Sequence, residues 1–197
     1  MRDTLRRRRR LAVAGITTLC VLAIAVPAAA QTGGSAAPGS TTTTTSTTTA
    51  APVGPPGRAT LRKDGTAVAP ADAPANIQAA IAAGNAIHTL PYRWGGGHRT
   101  FFDKGYDCSG AVSYVLHAAG LLASPMPSGP MASSWGVPGK GRWITVYANA
   151  SHAYMVVAGL RYDTSSGGER WRQGSGPRWR KTKRKPLGFT AKYAPGY

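Results

Sequence analysis

Within YDCSGAVSYVLHAAG, residues 106–120, Cys108 directly precedes a helix-type pattern. Val112, Val115, Leu116 and Ala119 follow the i, i+3, i+4, i+7 spacing, and Gly120 is placed to end the helix. A cysteine that opens a helix holds its sulfur beside unpaired N–H groups and the positive dipole end, and both favour thiolate over thiol. Thiolate is the nucleophile, and a neighbouring imidazole completes its activation. The competing reading is a small buried hydrophobe, because unpaired cysteines are often buried. Asp107 and Ser109 weigh against it, since a buried apolar site would have to satisfy both. Of the four histidines, His117 lies more than two turns along the Cys108 helix and cannot reach the sulfur. His88 falls near the end of an earlier helix, where a polar group needs no special role. His98 follows the glycines at 95–97, and His152 opens the apolar β-type run at 153–159; either could serve as a base.

These residues need elements to hold them. Residues 72–90 predict a first helix, with Asp72 as cap, Pro74 in the first turn, and Ile77, Ala80, Ile81 and Gly84 on one apolar face. A glycine-rich loop over 91–105 leads into the Cys108 helix. Residues 143–148, 153–159 and 160–165 are β-rich, and 188–193 offers a last strand. Helices first and an antiparallel sheet afterwards is an α+β order.

The N-terminus bears on the compartment. Residues 1–10 carry six Arg, 11–26 are apolar, Pro27 breaks the run, and Ala28-Ala29-Ala30 precedes Gln31. That order reads as a secretory signal peptide cleaved near Ala30, by the ordinary or the twin-arginine route, with no membrane span in the mature form. Cys20 sits inside the apolar run and would leave with the signal. The mature chain then has one cysteine, which points to a reactive thiol or an intermolecular bridge. Taking the six Arg and one Asp of residues 1–30 from the chain's 24 basic and 7 acidic residues leaves 18 against 6, a net +12. Such a charge holds a protein near polyanions. For an exported chain these are wall polymers and anionic lipids rather than nucleic acid. Residues 31–71 read as a linker, Thr/Ser/Pro/Gly-rich over 31–58, and the folded domain as 72–197. Neither C-x-x-C nor H-E-x-x-H occurs, so no metal or cofactor is expected.

Tyr92-Arg93-Trp94-Gly95-Gly96, followed by Asp107-Cys108-Ser109-Gly110 with sixteen residues from Tyr92 to Cys108, resembles the core motif of the NlpC/P60 cell-wall peptidases. The resemblance covers roughly residues 76–165. It implies a papain-like α+β fold in which the thiol opens a helix packed on a small antiparallel sheet. It also implies a base on a following strand, the position of His152, with His98 second. The family's third polar residue is often His, Asn or Gln, but this chain has no His or Asn after His152. Asp163, Glu169 and Gln173 are the candidates. A hairpin of 153–157 with 160–164, turning at Ala158-Gly159, would set Asp163 opposite Tyr154 and diagonal to His152 on one face. A carboxylate there would fix the imidazole tautomer and favour imidazolium. A one-residue slip would send it to the other face.

The resemblance further implies that Tyr92 reaches the site, that Asp107 and Ser109 help bind the peptide's amine, and that Trp94 and the glycines hold the loop to the helix mouth. The activity it implies is a secreted cysteine endopeptidase of peptidoglycan stem peptides, cutting beside D-glutamate. A thiol amidase or acyltransferase could use the same pair, since fold does not dictate the bond. The segment 170–186 carries eight Lys/Arg with Trp171 and Trp179 interleaved. It reads either as a strip for anionic wall polymers or as a solvated loop with its tryptophans packed on the domain. A catalytically silent wall-binding module built on that strip is the alternative from another class.

Overall fold

A computed structural model describes residues 57–165, 176–181 and 183–197, and everything below concerns those residues. The expected signal segment, most of the linker, and Glu169, Trp171 and Gln173 lie outside them. The chain runs β1 (Thr60–Leu61), β2 (Ala67–Val68), α1 (Ala75–Ile87), α2 (Cys108–Ala118), α3 (Ser128–Ser133), β3 (Val137–Pro138), β4 (Ile144–Ala148), β5 (Ala153–Val157), β6 (Leu160–Asp163), β7 (Arg178–Arg180) and β8 (Thr190–Tyr193). The architecture is α+β. Six antiparallel strands in the order β3-β8-β4-β5-β6-β7 form the main sheet, and α1 and α2 pack together against it.

Strand alternation sorts the sheet into two faces. Ile144, Val146, Ala148, Ala153, Met155, Val157 and Tyr162 join Ile77, Ile81, Val112, Val115 and Leu116 in one buried core. The other parity carries Tyr147, Tyr154, Arg161 and Asp163, and His152 immediately precedes β5 on the same parity. The turn between β5 and β6 fixes which residues fall where. Ala158 and Gly159 both have positive φ, 43° and 83°, as a two-residue hairpin turn requires. The resulting pairs, Val157 with Leu160 and Met155 with Tyr162, set Asp163 opposite Tyr154, the register expected from the sequence.

Three features differ from expectation. Asp72 does not cap α1: its carboxylate accepts from the Gly57 N–H at 2.7 Å, while Pro74 occupies the cap position with no side-chain cap. Residues 59–68, assigned to the linker, form the β1–β2 ribbon, with Ala59, Ala67 and Val68 buried. Asn85 on α1 imitates a strand partner for the ribbon, exchanging two 2.8 Å bonds with the Ala67 backbone. Two-residue strands are too short to leave a period-2 signal. Lastly, Arg178–Arg180 of the basic segment is the edge strand β7. Trp179 there is buried against Gly84 and Tyr162 and donates to Asn85 Oδ1 at 2.9 Å, so it offers no face to a sugar.

Candidate active site

Cys108 is the first residue of α2, and Asp107 is its N-cap, accepting from the Gly110 N–H at 2.8 Å. The glycine loop is sewn to this helix mouth through its backbone. Asp107 N–H donates to the Gly96 carbonyl at 3.2 Å, and Gly95 N–H donates to Asp107 Oδ2 at 3.1 Å. The approach is so close that a Cβ on Gly110 would meet the Gly96 carbonyl oxygen, and a Cβ on Gly96 would meet the Gly105 carbonyl oxygen, which accounts for glycine at both positions. Trp94, expected to help hold the loop, is 85% exposed and does not. The glycines and the Asp107 carboxylate perform that task.

His152 reaches the site from the loop before β5. Asn149 Oδ1 accepts from the His152 N–H at 2.9 Å and from Ser151, which braces the loop. Its Nε2 donates to Asp163 Oδ1 at 3.0 Å. The other ring nitrogen is thereby left unoccupied by Asp163, and Cys108 is the second neighbour that raises the affinity of the ring for its proton. Burial disfavours the imidazolium, but the hydrogen bonds to Asp163 and Cys108 outweigh it and raise the His152 pKa to about 9. Burial likewise opposes charge on Asp163, yet hydrogen bonds from His152 and Ser165 hold its pKa down to about 2. The structure thus brings His152 and Asp163 together in a site that Cys108 shares, with the His152 proton held well above its ordinary pKa. A histidine so protonated can act as a general acid beside a thiol nucleophile.

Asp163 has no exposed side-chain surface. Besides His152 it accepts from Ser165 N–H at 2.9 Å, Ser165 Oγ at 2.8 Å and Arg184 Nη1 at 3.1 Å, and Arg161 Nε lies 3.6 Å away. Ser165, two residues on, is a local turn partner visible to sequence reasoning. Arg184 arrives from the basic tail, and no spacing rule would have found it.

His98, the second candidate base, engages other groups. Its Nε2 lies 3.0 Å from both Asp107 Oδ1 and Ser109 Oγ. Ser109 Oγ also donates to Asp107, so both flanks of the cysteine are already engaged within the chain. Tyr92 is half-buried, and its phenol is held above its ordinary pKa by burial and then by its neighbours Cys108 and Asp107. It therefore keeps its proton and can donate.

No family model matches the chain, and no curated protein matches its sequence. Among solved structures it is similar to an NlpC/P60 family protein from Bacillus cereus, at 20% identity and a TM-score of 0.44, over 68% of this chain and 46% of that one. It is also similar to a hypothetical invasion protein of Mycobacterium tuberculosis, at 20% identity and a TM-score of 0.40, over 60% of this chain and 63% of that one. The chain therefore spans less than two thirds of the length of either structure.

Proposed function

We propose that the protein is a secreted cysteine endopeptidase of the NlpC/P60 type that hydrolyses peptidoglycan stem peptides at the bond beside D-glutamate. The observation that supports this reading is the 3.0 Å bond from His152 to Asp163 in a site where Cys108, at the mouth of α2, also acts on the imidazole. The Cys108 thiolate attacks the amide carbonyl carbon. The oxyanion is met by the Tyr92 hydroxyl and the Cys108 N–H, which at the first turn of α2 has no acceptor within the helix. His152 gives its proton to the leaving amine, and the acyl-thioester remains on Cys108. His152 then takes a proton from water, which attacks the thioester and returns the thiol–imidazole pair. Asp163 holds the tautomer throughout.

Export of the chain, cleavage near Ala30, and location at the cell wall belong to the same reading. Lys181, Lys183 and Lys185 are exposed on the basic segment and suit anionic wall polymers, which would keep the enzyme near its substrate. The test is incubation of the purified mature protein with peptidoglycan, followed by mass analysis of the soluble fragments. New muropeptides cut beside D-glutamate, absent with Cys108→Ala, are expected. No release, or equal release by Cys108→Ala, overturns the reading.

A further inference from the structure

The basic tail contributes more than charge. Resting on the reading of Cys108, His152 and Asp163 as the catalytic line, we propose that Arg184 is a positioning residue of that line. It holds the Asp163 carboxylate by Oδ2 so that Oδ1 stays on His152.

The carboxylate divides its oxygens between two sets of partners. Oδ1 takes His152 Nε2 and Ser165 N–H, whereas Oδ2 takes Ser165 Oγ and Arg184 Nη1. The Ser165 bonds are local to the same turn. Arg184 is the hydrogen-bond partner of Oδ2 that comes from a distant part of the chain, 21 residues on, and it also donates to Ser165 Oγ at 2.9 Å. One nitrogen, Nη1, therefore bonds both the carboxylate and the serine that supports it, while the planar group lies over two rings, a placement that a lysine ammonium on a flexible stem holds poorly.

Arg184 is itself held in place. Its guanidinium lies over the rings of Tyr154 and Phe189, at 5.2 and 5.0 Å from their centroids. Phe189 also stands edge-on to the His152 ring, at 6.1 Å. Asn149 ties the tail to the His152 loop, donating to the Gly188 carbonyl at 3.0 Å while its Oδ1 accepts from the His152 N–H. One aromatic pair thus packs on the imidazole and the guanidinium alike, and each is aimed at a different oxygen of one carboxylate.

The second consequence is electrostatic. The charged and titratable groups facing this carboxylate are His152, Arg161 from β6, Arg180 from β7, Arg184 from the tail and Tyr154 from β5, with Cys108 beyond the imidazole. A cation on Oδ2 repels a second cation on Oδ1. Arg184 therefore acts on His152 in two opposed ways: its charge disfavours the imidazolium, and its hold on Oδ2 preserves the bond from His152 to Oδ1 that favours it.

The experiment follows the His152 titration by the NMR shift of its ring protons, together with the rate of Cys108 alkylation by iodoacetamide, in the wild type, Arg184→Met and Arg184→Lys. Neither readout needs the natural substrate. Arg184→Lys, which keeps the charge without the planar group lying on the rings, is expected to lower the His152 titration, because Oδ1 is held less well, and to slow alkylation. Arg184→Met is expected to titrate above Arg184→Lys by roughly half to one pH unit, the size of losing one partly exposed neighbouring charge. Its alkylation near neutrality is expected to slow by about tenfold as the carboxylate loses its orientation. Wild-type alkylation in a folded Arg184→Met overturns the proposal, as does an unmoved titration in Arg184→Lys. Should Arg184→Met not fold, wild-type alkylation in Arg184→Lys overturns it. The catalytic reading itself is judged separately: if His152→Ala alkylates as the wild type does, the thiol–imidazole pair fails irrespective of Arg184.

Discussion

Asp163→Asn is the substitution that most directly probes the candidate site. Asparagine keeps the shape of the side chain and one acceptor for Ser165, but it removes the charge and turns one oxygen into a donor. The His152 pKa of about 9 lies some 2.5 units above its ordinary 6.5, although burial alone would push it below that value. At about 1.4 kcal/mol per unit, the site holds the imidazolium by roughly 3 kcal/mol, shared between Asp163 and Cys108. With the Asp163 share gone, the His152 titration should fall by about one to two units, because burial is then opposed by Cys108 alone. The alkaline limb of peptide hydrolysis, where His152 loses the proton it gives to the leaving amine, should fall with it. Loss of the tautomer should lower kcat by about a thousandfold or more, the order seen when an aspartate that orients a catalytic histidine becomes asparagine. The same change leaves Arg161 and Arg184 facing a neutral group. Breaking a buried ion pair costs about 3 kcal/mol or more, which for a domain of this size is a drop in Tm of about 10 °C. The assay is hydrolysis of a stem-peptide substrate against pH, beside thermal melts. A variant within threefold of wild type, with its alkaline limb in place, would refute the claim that Asp163 orients and charges His152.

Two further outcomes follow from the same contacts. Between pH 6.5 and about 9 the protein should lose stability: the raised pKa of His152 contributes fully below 6.5 and is lost as pH rises through 9. The depressed pKa of Asp163 contributes above 3.8 and is lost as pH falls toward about 2, so Tm should be highest from about pH 4 to 6.5, and His152→Ala should flatten the alkaline decline. Trp179→Ala should cost about 3–5 kcal/mol by emptying the space between Gly84 and Tyr162, read as a large fall in Tm; an unchanged Tm would mean that this ring does not pack on the domain.

Much of the site could be read from the residues because local rules govern it. The Cys108 helix and its Gly120 end follow from periodicity, and the pairing of Asp163 with His152 follows from a two-residue turn at Ala158-Gly159. What was not legible depends on contacts distant in sequence. The β1–β2 ribbon is stabilised by Asn85, eighteen residues from Ala67, and leaves no pattern of its own. Trp179 sits in a run whose tryptophans could either face a polymer or pack on the domain, and the choice is made by Gly84 on α1, which leaves a space that its ring fills. His98 is near the cysteine in sequence, as a base would be, but its imidazole is directed to the cap rather than the thiol. Sequence proximity located the neighbourhood and could not tell which polar atom each ring would choose.

The carboxylate at position 163, where a neutral residue would also orient a histidine, follows from the charges around it. Arg161 is 5% exposed, and its Nε and Nη2 make no hydrogen bond; burial first, and then Arg180 and Arg184, disfavour its charge while Asp163 favours it. A histidine, asparagine or glutamine at 163 would leave Arg161 and Arg184 without the carboxylate they face, at several kcal/mol for the desolvated Arg161. The aspartate is therefore required twice: to hold the His152 proton, and to neutralise the arginines that β6 and the tail bring beneath the sheet. Conversely, an aspartate with only His152 for company would bind that proton more tightly and slow its transfer to the leaving amine. The arginines draw off part of the carboxylate's charge and leave the imidazolium a usable acid. The carboxylate at 163 and Arg184 of the basic C-terminal segment are, on this account, two halves of one electrostatic arrangement.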